Sequence, residues 1–182
     1  MIDQSKFKKF QSIEGKIVKL KKFTKRNINE HYLTWLNDPE VVKYSNQRFA
    51  KHSRATCIKY LKSFDATTNL FLAIYLKNED IYLGTMTVYI SDEHETADIG
   101  IMIGDRNWWG HSIGGDAWNT IQCWLLEKAC IRKVTGGTLG CNKSMINIML
   151  SKGMEPDGIR KEQELVGGEP QDVLYFAKFR TN

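Results

Sequence analysis

The stretch Arg106-Asn107-Trp108-Trp109-Gly110-His111-Ser112-Ile113-Gly114-Gly115-Asp116-Ala117-Trp118 lies between an apolar run, Ile99 to Ile103, and a helix-like run from Gly114 to Cys130. Its three glycines and one serine fall at a strand-to-helix junction. Glycine there lets a ligand approach the main chain closely. The first turn of a helix offers free N–H groups at the positive end of its dipole. The chemistry this pattern suits is anion binding, phosphate or pyrophosphate above all. A tight loop that needs glycine only for its geometry is the alternative, and the stretch alone does not separate the two. No Gly-Lys-Ser/Thr follows, and Gly110, Gly114 and Gly115 have the wrong spacing for a dinucleotide fingerprint.

The elements that must position this junction are read from periodicity. After a polar leader over residues 1–15, Lys16 to Phe23 reads as a first strand. Thr24 reads as the N-cap of a helix whose inward stripe is Ile28, His31, Tyr32, Trp35 and Leu36, ended by Asn37-Asp38-Pro39. Ser45 to His52 reads as a loop, and Ser53 as the cap of a second helix with Cys57, Ile58, Leu61 and Phe64 inward. Leu70 to Leu76 is continuously apolar, as in a strand covered on both faces. Ile81 to Ile90 and Thr96 to Ile103 alternate: Met86, Val88, Ile90, Ala97, Ile99, Ile101 and Ile103 against Thr85, Thr87, Tyr89, Asp98, Gly100 and Met102. Behind the central helix come a strand, Arg132 to Leu139, and a helix, Lys143 to Lys152, with Gly153 as C-cap. Strands at Ile159 to Val166 and Asp172 to Phe179 close the chain. This order predicts one mixed α/β domain over residues 1–182.

A chain of 182 residues with 42% hydrophobic and 26% charged residues is globular in composition. It contains no apolar run of about 18 residues, and its start lacks the layout of a signal peptide. A cytoplasmic protein with no membrane partner is expected. Cys57, Cys123, Cys130 and Cys141 form no CxxC pair and have no histidines at zinc spacing, so free thiols and no metal are expected. The net charge is +5, with Lys16, Lys19, Lys21, Lys22, Lys25 and Arg26 near the start. No aromatic residues interleave with them as a base-stacking platform requires, so no nucleic-acid partner is expected. A solvated strand face, or attraction of a polyanionic cofactor, explains the cluster better.

In sum these residues resemble the GNAT superfamily of N-acetyltransferases, in its ribosomal-protein-acetyltransferase-like (RimJ/RimL-like) branch, from about Ile17 to Phe179. Trp35-Leu36-Asn37-Asp38-Pro39-Glu40-Val41 resembles that branch's first-helix ending. Ala97-Asp98-Ile99-Gly100 resembles its Ala-Glu-Ile-Gly strand, and Trp109 to Ala117 its Trp-Gly-Lys-Gly-Tyr-Ala-Thr-Glu-Ala loop. Asn142-Lys143-Ser144-Met145 with Lys152-Gly153-Met154 resembles its Asn-x-x-Ser helix. The resemblance implies a single, mostly antiparallel sheet flanked by helices, acetyl-CoA as donor and a primary amine as acceptor. It implies a pyrophosphate loop on Asn107 to Ser112, where Asn107 replaces Gln/Arg and Ser112 replaces a smaller residue. The donor contacts it implies are the main chain of Ile101, Met102 and Ile103, the junction Trp109, Gly110, His111, Ser112, Ile113, Gly114 and Gly115, and Asn142.

Acetyl transfer needs a neutral amine, although a free alkyl amine has a pKa of about 10. It needs a donor for the charge developing on the thioester oxygen, and it benefits from a proton for the leaving thiolate. Asp98, in the carboxylate position of Ala-Glu-Ile-Gly, is the candidate base, with an ordinary surface aspartate as the alternative; Glu95 is a weaker candidate. The tyrosine that many members place seven residues after the Asn falls at Met149, and the branch's serine at Met145; Ser144, one position early, is the candidate acid, with an ordinary cap or surface serine, the adjacent Cys141, or no side-chain acid at all as the alternatives. The acceptor site is expected in the first two helices, the loop Tyr44 to His52 and the last turn, with Arg48, His52 and Glu169 as its polar groups. A small-molecule amine, an amino sugar on a nucleotide and a protein N-terminus all fit as acceptors, and a homodimer is compatible. A non-catalytic acyl-CoA or nucleotide-binding module is the competing reading.

Overall fold

A computed structural model describes residues 4–181; the readings that touch residues 1–3 lie outside it. Eight strands form one sheet: β1 (Ser12–Glu14), β2 (Val18–Lys22), β3 (Leu70–Leu76), β4 (Tyr82–Ser91), β5 (Thr96–Ile103), β6 (Lys133–Leu139), β7 (Glu155–Val166) and β8 (Glu169–Phe179). Their spatial order is β1-β2-β3-β4-β5-β6-β8-β7, and every pairing is antiparallel except β5 with β6. Helices α1 (Gln4–Lys8), α2 (Glu30–Asn37), α3 (Pro39–Val42), α4 (Arg54–Lys62), α5 (Ile113–Cys123) and α6 (Lys143–Ser151) cover it.

The alternation in β4 and β5 divides the two faces. The register pairs Thr85 with Met102, Thr87 with Gly100 and Tyr89 with Asp98, so these six share one face. That face carries α2 and α4 and a core of Phe23, Tyr32, Trp35, Leu36, Phe71 and Ala73. The opposite face sends Met86, Val88, Ala97 and Ile99 against Ile113, Trp118, Ile121 and Leu125 of the central helix. β3 is covered on both sides, as its apolar run requires: Leu70, Leu72 and Ile74 enter one core, Phe71 and Ala73 the other.

Several elements differ from expectation. The leader is not featureless, because Phe7 and Phe10 are buried edge-on against Trp124, which holds α1 and β1 to the domain. Thr24 does not start α2. It begins a single 3-10 turn, Lys25–Asn27, in which the Asn27 side chain accepts from the Thr24 N–H, and Asn29 caps α2 instead. The central helix is α-helical only to Cys123 and widens into a π turn over Trp124–Lys128. The loop after α3 contains a 3-10 turn, Asn46–Phe49. Ser53 caps α4, and Gly153 ends α6 with φ +74°, both as expected.

The single parallel junction positions the site. β5 and β6 pair only at Thr96–Lys133, Ala97–Val134 and Asp98–Thr135. Beyond that point β5 keeps only β4 as a neighbour and β6 keeps only β8. The sheet therefore forks, and past Asp98 the edge of β5 that faces the opening has no partner strand; of its groups there, the Ile103 carbonyl accepts from the Trp109 indole. Trp118 explains the divergence on the α5 side. A side chain at Gly136, in β6 just past the fork, would start 2.7 Å from the Trp118 ring. The indole thus occupies the place where tighter closure of the strands would put protein.

Candidate active site

A cavity of about 1310 Å³ runs through the fork and reaches both faces of the sheet. On the α5 side its wall is the junction singled out by its glycines. Gly110 has φ +81° and a Cβ there would meet nothing within 4 Å, so its backbone stands open to the cavity. Ser112 adopts the left-handed conformation (φ 61°) and its hydroxyl makes no cap bond to α5. Asp116 N–H is the first of the helix to find a carbonyl, that of Ser112. The N–H groups of Ser112 to Gly115 have no acceptor among the described residues. Four amides at the positive end of α5 therefore point toward the cavity, the arrangement that binds a diphosphate.

Asp116 holds this turn in place. Its carboxylate accepts from the N–H groups of Lys16, Ile17 and Val18 at 3.2, 2.8 and 3.0 Å. Gly15 permits the approach, since a Cβ there would lie 2.4 Å from Thr120 Oγ1 and 2.5 Å from Asp116 Oδ2. Lys16 and Lys152 also line this end of the cavity, and the Lys152 ammonium lies 3.8 Å from where a Gly115 Cβ would stand. These cations suit a polyanionic ligand.

The junction's other side chains brace it. Trp109 is 41% exposed, and its indole N–H donates to the Ile103 carbonyl at 2.9 Å, tying the loop to the end of β5. Arg106 lies over the Trp109 ring and pairs with Asp38 at 3.5 Å, linking the loop to α3. His111 does not line the cavity; its ring packs edge-on against Trp108.

Ile101, Met102, Ile103, Trp109, Gly110, Ser112, Ile113, Gly114, Gly115, Asn142 and Ser144 all line the cavity. Asn142 is the N-cap of α6, accepting from Met145 N–H at 3.3 Å while its amide donates to Thr138 Oγ1 at 3.1 Å. Ser144 is exposed one residue into that helix, whereas Met149 is fully buried in the core and Met145 partly so. Asp98 stands at the fork itself, on the α2 face, and accepts from Thr135 Oγ1 at 2.8 Å. Neighbouring protein disfavours its charge and raises its pKa above the ordinary carboxylate value, against the opposing influence of the Thr135 hydroxyl. Glu95 lies before β5 in the turn, with φ 54°.

The polar groups expected around the acceptor do not line the cavity. Arg48 donates to Glu164 Oε2 and the Leu165 carbonyl, fastening the loop after α3 to β7. The His52 ring contacts the Gln47 carbonyl at 3.1 Å. Glu169 is exposed at the start of β8. On the α2 face the cavity is lined instead by Tyr32, Tyr60, Phe71, Thr85, Thr87 and Tyr89. Sequence reading missed this wall because each ring sits in an ordinary inward stripe or strand face, and only the fold brings them together. Among the described residues no three His, Cys, Asp or Glu side chains gather as a metal site, and no helix is long and apolar enough to cross a membrane.

One mixed sheet, forked at its parallel junction above a helix start with bare amides, defines an acetyltransferase architecture. The chain belongs to the GNAT family: the model of the acetyltransferase (GNAT) domain matches residues 18–155. None of the curated proteins compared with it matches. Among solved structures, the ribosomal L7/L12 α-N-protein acetyltransferase RimL, in complex with coenzyme A, is similar at 14% identity with TM-score 0.82, covering 93% of this chain and 98% of that one. The ribosomal-protein-S5-alanine acetyltransferase of Vibrio fischeri is similar at 13% identity with TM-score 0.75, covering 94% and 97%. The microcin C7 self-immunity acetyltransferase MccE, in complex with acetyl-CoA and AMP, is similar at 19% identity with TM-score 0.75, covering 90% and 93%. The fold is thus the one found in ribosomal-protein acetyltransferases.

Proposed function

We propose that the chain transfers an acetyl group from acetyl-CoA to a primary amine by direct attack in a ternary complex. The observation that carries this reading is the cavity leading from the unpaired amides of Ser112 to Gly115, along the open edge of β5, to Thr87, Tyr89 and Gly100 on the opposite face, where Asp98 sits across from Tyr89 just outside the lining. The diphosphate lies on the α5 amides, with Lys16 and Lys152 beside it. The pantetheine arm runs along the edge of β5 at Ile101, Met102 and Ile103, as an added strand would, beside the Ile103 carbonyl that holds the Trp109 indole. The fork then delivers the thioester carbon to an amine on the α2 side. Holding both reactants there supplies several kcal/mol of the barrier, about 7 or more in well-aligned cases.

Asp98 takes the proton the ammonium must lose, directly or through water. The amine nitrogen adds to the carbonyl carbon, the C–S bond breaks, and the thiolate takes a proton from Ser144, the hydroxyl that α6 presents beside Asn142; the surplus proton on the acetylated nitrogen goes to solvent, and solvent returns one to Ser144. Met145 and Met149 offer no such proton. Ser144→Ala is expected to lower kcat by about tenfold or more while leaving the KM for acetyl-CoA near its starting value.

The raised pKa of Asp98 gives a pH prediction. A base must be ionised, so kcat/KM falls as pH drops through the pKa of Asp98. Thr135→Val removes the hydrogen bond that opposes the rise. The acid limb of the kcat/KM profile is therefore expected to move to higher pH in that variant, with the plateau little changed. An unmoved limb would remove Asp98 from the role of base.

Release of free thiol from acetyl-CoA over a panel of amines tests the reaction as a whole. Turnover with an amine supports the transferase. Calorimetric binding of coenzyme A without turnover on any amine would make the chain an acyl-CoA-binding module.

A further inference from the structure

The acceptor side of the cavity is a wall of rings. Tyr60 meets Phe71 edge-on with centroids 5.3 Å apart, and Phe64 stacks behind Phe71, also at 5.3 Å. The Tyr60 and Tyr89 phenols bond to each other at 2.7 Å, which joins α4 to β4 beside Asp98. Burial pushes the Tyr60 phenol well above its ordinary pKa, so it stays a neutral hydroxyl. Thr85 and Thr87 add only hydroxyls to the floor.

Charge is scarce on this side. Glu40 and Lys43 line it but pair with each other at 3.1 Å. The free cations of the cavity, Lys16 and Lys152, stand at the α5 end with the donor. A polyamine with several ammonium groups is held by several carboxylates, and a sugar nucleotide by cations at its diphosphate. Neither set faces the acceptor among the described residues. What remains is a largely aromatic slot whose Tyr89 end lies next to Asp98, across from it in the strand register.

Resting on the transferase reading above, we propose that the acceptor is an arylalkylamine: a primary amine on a short chain bearing an aromatic ring, with no phosphate and no second charge. The ring packs against Phe71, Tyr60 and Tyr89 in the edge-on or offset geometry that aromatic pairs prefer. The chain spans Thr87, and the nitrogen points past Tyr89 toward Asp98 at the fork, directly or through water. The product is the N-aryl-alkyl acetamide, and the amine proton leaves on the carboxylate.

The test uses the full chain with acetyl-CoA and five acceptors: phenethylamine, tryptamine, spermidine, a UDP-linked amino sugar and a short peptide with a free N-terminus. Thiol release is expected to give the two aryl amines kcat/KM values about tenfold or more above the others, the scale of burying one ring. Tyr89 is 43% exposed. Tyr89→Ala is expected to raise the KM of the aryl amines about tenfold by removing one ring contact while the KM of acetyl-CoA stays put. Preference for spermidine, the sugar nucleotide or the peptide overturns this acceptor and leaves the transferase standing. Thiol release with none of the five, coenzyme A still binding by calorimetry, overturns both.

Discussion

A Gly110→Val variant is expected to fold and to bind coenzyme A roughly 10- to 100-fold more weakly than the parent chain, as a β-branched residue in the left-handed region is strained by about 1–3 kcal/mol. Gly110 sits at φ +81°, and a side chain there would meet nothing of the protein within 4 Å. The penalty is therefore conformational and local, and it does not arise from crowding the core. Valine shifts the loop toward negative φ and turns the open amides of the following turn away from their common focus. It also projects branched carbons into the space from which the phosphates approach. Isothermal titration with coenzyme A measures the loss, and thermal unfolding confirms that the domain is intact. Unchanged affinity in a folded variant would place the diphosphate somewhere other than this loop.

Asp116→Ala is expected to destabilise the domain by about 2–4 kcal/mol, because three N–H groups lose a charged acceptor at once and hydrogen bonds to charged groups are worth about 1.5–3 kcal/mol each before water replaces them. For a domain of this size that corresponds to a fall in Tm of roughly 5–15 °C. The three bonds, to Lys16, Ile17 and Val18, join the first turn of α5 to the β1–β2 connection. The same change takes a negative charge from beside the proposed diphosphate site, so the variant separates two effects. Lost Tm with retained coenzyme A affinity identifies a clasp alone. Thermal unfolding followed by far-UV circular dichroism checks the first, and calorimetry the second. A Tm unchanged within a degree or so would show that water replaces the carboxylate without loss.

Much of this arrangement is legible in the residues. The run Leu70 to Leu76 announces a strand with two covered faces, and the alternation Thr85, Thr87, Tyr89 against Met86, Val88, Ile90 assigns the faces of β4 before any partner is known. The glycine cluster locates the cavity's α5 wall for a chemical reason, bare amides, that holds in any fold. Other features depend on contacts between distant segments. Phe7 and Phe10 lie among polar residues in the sequence, and only the fold brings them against Trp124 and into the core. Thr24 and Asn29 are both good caps, and the choice between them falls to the packing of Ile28, which is buried between the turn and α2. The widening at Trp124 leaves no mark on a period of 3.6 residues. The fork is invisible because β5 has the same alternation whether or not a neighbour continues beside it. Arg48 reads equally as a substrate ligand or as a brace, and only the presence of Glu164 on β7 decides for the brace.

The span between the two diverging strands is set from behind. Trp118 is 1% exposed and meets the cavity from the α5 side, where its indole against Gly136 gauges how far the strands stand apart. The rings and hydroxyls on the other face play no part in that gauge. The spacing from carrier to carboxylate and the chemistry of the acceptor wall are thus governed by different residues, an indole against a bare glycine on one face and rings and hydroxyls on the other.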